Sequence, residues 1–156
     1  FTLTDHTGKT VTDKDFTGKY RLMYFGFTYC PAICPTELSK ITAALNKMGD
    51  SGKEILPMFI TVDPERDTPS IMKSYVTLFH PSLVGLSGTP EQTKAVLKHY
   101  KIYAAKREDP KMSDYTMDHS SFVYFIGPDD RLLHIFKMED NAETMADIMT
   151  RWTAAP

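Results

Sequence analysis

The chain has 156 residues, 42% hydrophobic and 12% aromatic, which is enough apolar material for one domain with its own core. Eighteen basic and twenty acidic residues are interspersed and leave a net charge of -2, so no basic stripe marks a nucleic-acid partner and no charged tail is present. No stretch is long and apolar enough to cross a bilayer. The chain begins at Phe1, which predicts a processed or truncated product whose signal or membrane anchor lies upstream.

The first segment, Phe1 to Val11, alternates loosely around a polar turn at His6 to Lys9 and predicts a short β-hairpin covering a sheet edge. Tyr20 to Phe27 is almost wholly aromatic and aliphatic, the pattern of a strand buried on both faces of a parallel or mixed sheet. Directly after it come the only two cysteines, in Cys30-Pro31-Ala32-Ile33-Cys34-Pro35. Proline inside a helix costs roughly 3 kcal/mol. Pro35 is therefore expected at the first helical position, with Cys34 as N-cap and Glu37 serving the free amides at the third position. Leu38, Ile41, Ala44, Leu45 and Met48 form the inner face of that helix, which Gly49 ends.

A helix N-terminus stabilises a thiolate, the form of cysteine that attacks disulfides and binds metals. Within a regular helix an i, i+4 pair keeps its Cβ atoms about 5–6 Å apart, wider than the roughly 3.5–4.5 Å of a relaxed disulfide. A non-helical start at Cys30 closes that gap. Cys30 and Cys34 can thus be a dithiol, a disulfide or two legs of a metal site, with a purely structural disulfide as the plain alternative.

Ile55 to Val62 is a second continuous apolar run and predicts a parallel strand, in which Pro57 must lie where no ladder donor is needed. The charged loop Asp63-Pro64-Glu65-Arg66-Asp67-Thr68-Pro69 follows at the carboxyl edge of the sheet, where open α/β folds carry functional groups. Turn and cap chemistry is the plainer reading of Asp63 and Asp67. Thr68 and Pro69 start a helix to Phe79, Leu83 to Leu86 is a short strand, and Thr89-Pro90-Glu91-Gln92 is a capping box opening a helix to about Tyr100. Lys101 to Met117 is polar and reads as a long functional loop, with too few apolar residues over 105–118 for packing to pin it, so a bound metal is expected to order it. Asp118 and His119 then precede a strand over Ser120 to Ile126, a turn at Gly127 to Asp130 and a hairpin partner over Arg131 to Lys137. Asn141 to Trp152 closes the chain as an amphipathic helix with Met145, Ile148, Met149 and Trp152 on one face.

The order hairpin, βα, βα, βα, ββα describes an α/β domain, residues 1–156: a thioredoxin-like mixed sheet flanked by helices, with an added N-terminal β-hairpin. In such a plan the cysteine turn and His119 reach the same rim of the sheet. Two thiolates and an imidazole suit a soft, low-coordinate ion such as Cu(I), whereas structural zinc takes a fourth protein ligand that is not apparent. His6, His80 and His99 fall in turns or on helices and are expected to be solvated, and His134 lies on an outward-alternating strand. His119 differs by position, although on spacing alone a structural role stays open. The nine methionines fall at core periods and read as packing.

YFGFTYCPAICPTEL, then VDPERDTP, then DYTMDHSSFVYFIGPDDRLL closely resemble the Sco/SenC family of membrane-tethered copper proteins that help assemble cytochrome c oxidase, and the resemblance covers nearly the whole chain. It implies that Cys30, Cys34 and His119 ligate copper, as Cu(I) or Cu(II). It implies that Asp63 and Asp67 belong to the family's acidic loop motif and, with Asp118, support the metal or face a partner. The implied partners are cytochrome c oxidase subunit II, whose dinuclear CuA centre receives the copper, and other copper chaperones or thiol reductants; the domain is read as a monomer. An upstream anchor would tether it at the periplasmic face of the bacterial inner membrane or in the mitochondrial intermembrane space. Many relatives carry acids at the positions of Ala32 and Thr36, so this chain has less negative charge beside its thiols. The same thiols permit a second class of function, a thiol-disulfide oxidoreductase that reduces the cysteines of the CuA site. A peroxidase comes third, because no cationic residue stands beside Cys30 in the sequence.

Overall fold

Residues 1–28, 33–102, 104–108, 115–119 and 122–153 are described by a computed structural model, with 33–34, 104–108 and 115–119 described as backbone only. The chain opens with β1 (Thr2–Asp5) and β2 (Thr10–Thr12), an antiparallel hairpin turned at Gly8, whose φ of 92° suits glycine. β3 (Tyr20–Gly26) follows, and Leu22, Met23, Tyr24 and Phe25 are all wholly buried, as their unbroken apolar run predicts. Burying each such side chain is worth about 1.5–3 kcal/mol, so this strand is where the core is anchored. One charge lies inside it: the Arg21 guanidinium is buried and paired with Asp130.

α1 (Ile33–Met48) leads through a 3-10 turn into β4 (Ile55–Thr61), then α2 (Pro69–Val76), β5 (Val84–Ser87) and α3 (Pro90–Tyr100). The β3, β4 and β5 strands are parallel. β5 pairs only with Met58 to Ile60 of β4, so Pro57 sits just ahead of the second ladder and costs no bond there. Thr89 and Gln92 form the expected capping box of α3.

After α3 the expected long loop is instead a two-stranded antiparallel hairpin, β6 (Ala104–Glu108) and β7 (Tyr115–His119), separate from the main sheet. The period of two is short and mixed with charge, which hid the strands in the sequence; a backbone ladder pairs Ala104–Glu108 with Tyr115–His119. β8 (Val123–Ile126), β9 (Leu132–Phe136) and α4 (Ala142–Thr153) complete the fold. Phe122 stays outside β8, and Ser120 and Ser121, predicted to be in that strand, lie outside the described residues.

The main sheet has the order β2-β1-β5-β4-β3-β8-β9, with the N-terminal hairpin at one edge as expected. Asn141 caps α4 by accepting from Thr144 N at 2.8 Å. Met145 and Met149 are buried, but Trp152 is 40% exposed and gives only its carbonyl, to the Tyr20 hydroxyl at 3.1 Å. It lies in the last turn of α4 and is not part of the core. α2 ends at Val76 rather than Phe79, because the chain tightens there into i to i+3 bonds from Leu78 and Phe79.

Candidate metal centre

The sequence places Cys34 as N-cap and Pro35 as first helical residue, but α1 begins at Ile33, so both lie in its first turn. Pro35 is tolerated there because the first amides of a helix have no intrahelical acceptor. Glu37 consequently moves into the second turn, too far along to cap. Its buried carboxylate pairs with Lys40 at 3.0 Å, and its other oxygen, Oε2, has no partner among the described residues. Burial raises its carboxyl above the usual range, against the pull of Lys40.

Cys30 and Ala32 lie outside the described residues, and Cys34, Asp118 and His119 are placed by backbone alone. His119 ends β7 opposite Ala104, and Asp118 stands opposite Ala105. Four residues beyond His119, Val123 begins β8 opposite Tyr24 of β3, close to the strand end from which the chain runs on to the cysteines. The backbone therefore leads both cysteine-bearing and histidine-bearing segments to one rim of the sheet. Among the described residues no three His, Cys, Asp or Glu side chains are arranged to hold a metal.

Of the three histidines expected to be solvated, His99 is exposed as expected, whereas His6 and His80 are partly buried and each accepts from a backbone amide. His6 accepts through Nδ1 from Gly85 N at 3.1 Å, tying the hairpin to β5, and His80 accepts from Ser82 N at 3.0 Å. His99 is exposed and packs edge-on against Tyr100, with ring centroids 4.8 Å apart, while His134 packs against Phe136.

The acidic loop is buried. Asp63 and Asp67 are 2% and 0% exposed, so neither carboxylate offers a surface for a partner to read, and neither is a helix cap. Asp63 pairs with Arg66 Nε at 2.5 Å. Asp67 gathers three donors: Thr28 N at 3.0 Å, the Thr28 hydroxyl, and the Thr61 hydroxyl at 2.6 Å. Thr61 Oγ1 also accepts from Asp63 N at 2.9 Å, and Ser87 Oγ donates to the Asp67 carbonyl at 2.7 Å. Burial pushes the Asp67 carboxyl above the usual carboxylate range, opposed by the bonds from Thr28 and Thr61. Sequence reasoning missed Thr28, Thr61 and Ser87. The available signal was a hydroxyl at or just past the carboxyl end of three largely apolar strands, all beside one acidic loop.

The SCO1/SenC family profile matches residues 1–154. The chain belongs to the SCO1/SenC family. Protein sco1 of Schizosaccharomyces pombe is 44% identical over 149 residues, covering 94% of this chain and 57% of that protein. Among solved structures, Arabidopsis thaliana ScoI with copper bound superposes with a TM-score of 0.93 at 40% identity, over 99% of this chain and 97% of the other. Bradyrhizobium japonicum ScoI with copper bound gives 0.89 at 43%, over 97% and 96%. The chain spans about half the length of the curated relatives it matches. Its sheet and helices are the thioredoxin-like mixed α/β plan of these Sco structures.

Proposed function

We propose that this Sco domain carries copper as cargo through Cys30, Cys34 and His119, and passes it on in cytochrome c oxidase assembly, to the CuA centre of subunit II. The observation that carries the reading is the near-complete superposition on two Sco proteins that have copper bound, at 40% and 43% identity. The donor set fits: two thiolates and an imidazole suit Cu(I), and an imidazole also serves Cu(II). The first turn of α1 bears Cys34, where the aligned backbone amides favour the deprotonated thiol that metal binding requires. No helix among the described residues is long and apolar enough to cross a membrane. The proposed setting is the periplasmic face of a bacterial inner membrane or the mitochondrial intermembrane space, with the domain tethered by an upstream segment. A copper donor or a thiol reductant would load it or reset it there.

Reduced protein should bind one copper per chain, and Cys34→Ala or His119→Ala should lose that stoichiometric binding, measured by competition with a chromophoric chelator. Native affinity in Cys34→Ala would remove the assigned site. Oxidation to a Cys30–Cys34 disulfide consumes both thiolates, so a sample free of thiols should take up no copper there. The alternative, thiol-disulfide exchange with the target's cysteines, is favoured by the pairing of two thiols at one helix start. His119→Ala separates the two readings, since it should leave disulfide exchange intact while copper is lost.

A further inference from the structure

We propose that Asp67 is a positioning residue for the cysteine pair and acts on it through Thr28. Asp67 has no exposed surface, and two of its three donors belong to Thr28, the last described residue before the cysteines and two positions ahead of Cys30. Asp67 is itself fixed through side chain and main chain from both neighbouring strands. Thr61 at the end of β4 donates to it, Ser87 at the end of β5 holds its main-chain carbonyl, and its amide donates to the Asp63 carbonyl at 3.0 Å. Val62 N donates to Gly26 O at 2.8 Å, which carries the β3–β4 pairing up to this cluster. Through its carboxylate to Thr28 and Thr61 and its main-chain carbonyl to Ser87, Asp67 thus ties the carboxyl ends of three parallel strands to the point where the chain departs for Cys30.

The geometric consequence lies in the chain lengths. Only residues 29–32 separate Thr28, held by Asp67, from Ile33, where α1 begins. A connection of four residues anchored at both ends has far fewer conformations available than one released at Thr28, and every residue freed adds backbone entropy to be lost again on ordering. Holding Thr28 therefore raises the effective concentration of the Cys30 thiol at Cys34 and lowers the cost of presenting both to one ion. The copper half of this inference rests on the function proposed above; the thiol half does not.

The test compares Thr28→Val and Asp67→Ala, which remove donors or acceptor, with Thr28→Ser and Asp67→Asn, which keep a hydroxyl and an amide able to bond in the same places. The first readout is the equilibrium of the metal-free protein with glutathione, in which oxidation of the two thiols to the disulfide reduces one glutathione disulfide to two thiols. Thr28→Val and Asp67→Ala should make the protein disulfide about tenfold less favoured, roughly 30 mV for this two-electron couple. The second readout is Cu(I) affinity, expected to fall by about 10–100-fold, the usual range for groups that orient metal ligands. Thr28→Ser and Asp67→Asn should stay near wild type on both. If Asp67→Ala does not fold, the Thr28 pair carries the comparison. Wild-type values on both readouts in Thr28→Val, or equal losses in Thr28→Ser and Thr28→Val, would overturn the proposal. If Cys34→Ala kept its copper, the metal site would fall, and the glutathione equilibrium would still decide the role of Asp67.

Discussion

Asp67, just beyond the end of β4, and Glu37, in the second turn of α1, are both buried acids beside the cysteine-bearing stretch, and they are satisfied in different ways. Asp67 receives two hydroxyls and a backbone amide from two different strand ends, all neutral donors. Glu37 receives one lysine, Lys40, which also donates to the carbonyls of Lys137 and Met138 at 3.4 and 3.1 Å, and it leaves Oε2 unpartnered among the described residues. A buried carboxylate needs donors on both oxygens to offset its desolvation. Asp67 has them, and its bonds run to backbone and side chain of another segment, so it organises structure. Glu37 lacks half of them and is held by a partner on its own helix, so it organises little.

The sharpest way to break this contrast is Asp67→Ala. It leaves a buried amide and two hydroxyls without an acceptor, and stability should fall by about 2–3 kcal/mol in urea or guanidinium unfolding. A loss no larger than that of a surface substitution would show that the cluster is not a fastening. Thr61→Val keeps shape and removes the hydroxyl that serves both Asp67 and Asp63, with an expected loss of about 1–2 kcal/mol.

Glu37→Gln should change stability by about 1 kcal/mol or less, and its pH dependence matters more than its size. Because burial raises the Glu37 carboxyl, the folded protein holds that proton more tightly than the unfolded chain. The stability linked to it is full below the ordinary value of 4.5 and is lost as pH rises through the higher folded value. The glutamine variant lacks this loss, so its advantage over wild type should grow from pH 4 to pH 7; a constant difference would show that folding does not shift the Glu37 carboxyl. The smallest expected effect lies in the β6–β7 hairpin. Backbone pairing with β6 engages the strand over 115–119, so amide exchange there should be nearly equal with and without copper, and a large gain in protection on copper addition would show that the ion orders this segment.

Elements that carry their own pattern were legible in the sequence. The unbroken apolar runs of β3 and β4, the Thr-Pro starts of α2 and α3, and the polar turn of the first hairpin are local signals, because burial on two faces, capping and turn chemistry each act over a few neighbouring residues. The family motifs supply Cys30, Cys34 and His119 as the proposed copper ligands, by residue type and order. What only tertiary structure decided concerns residues whose partners are distant in the chain. The β6 and β7 strands are charged enough to read as loop until each is paired with the other. Asp67 reads as turn chemistry until β3 brings Thr28, 39 residues earlier in the chain, against its carboxylate. A polar side chain advertises only that it needs a partner; which one it obtains is set by the strand order that buries it, and no local pattern in the sequence contains that order.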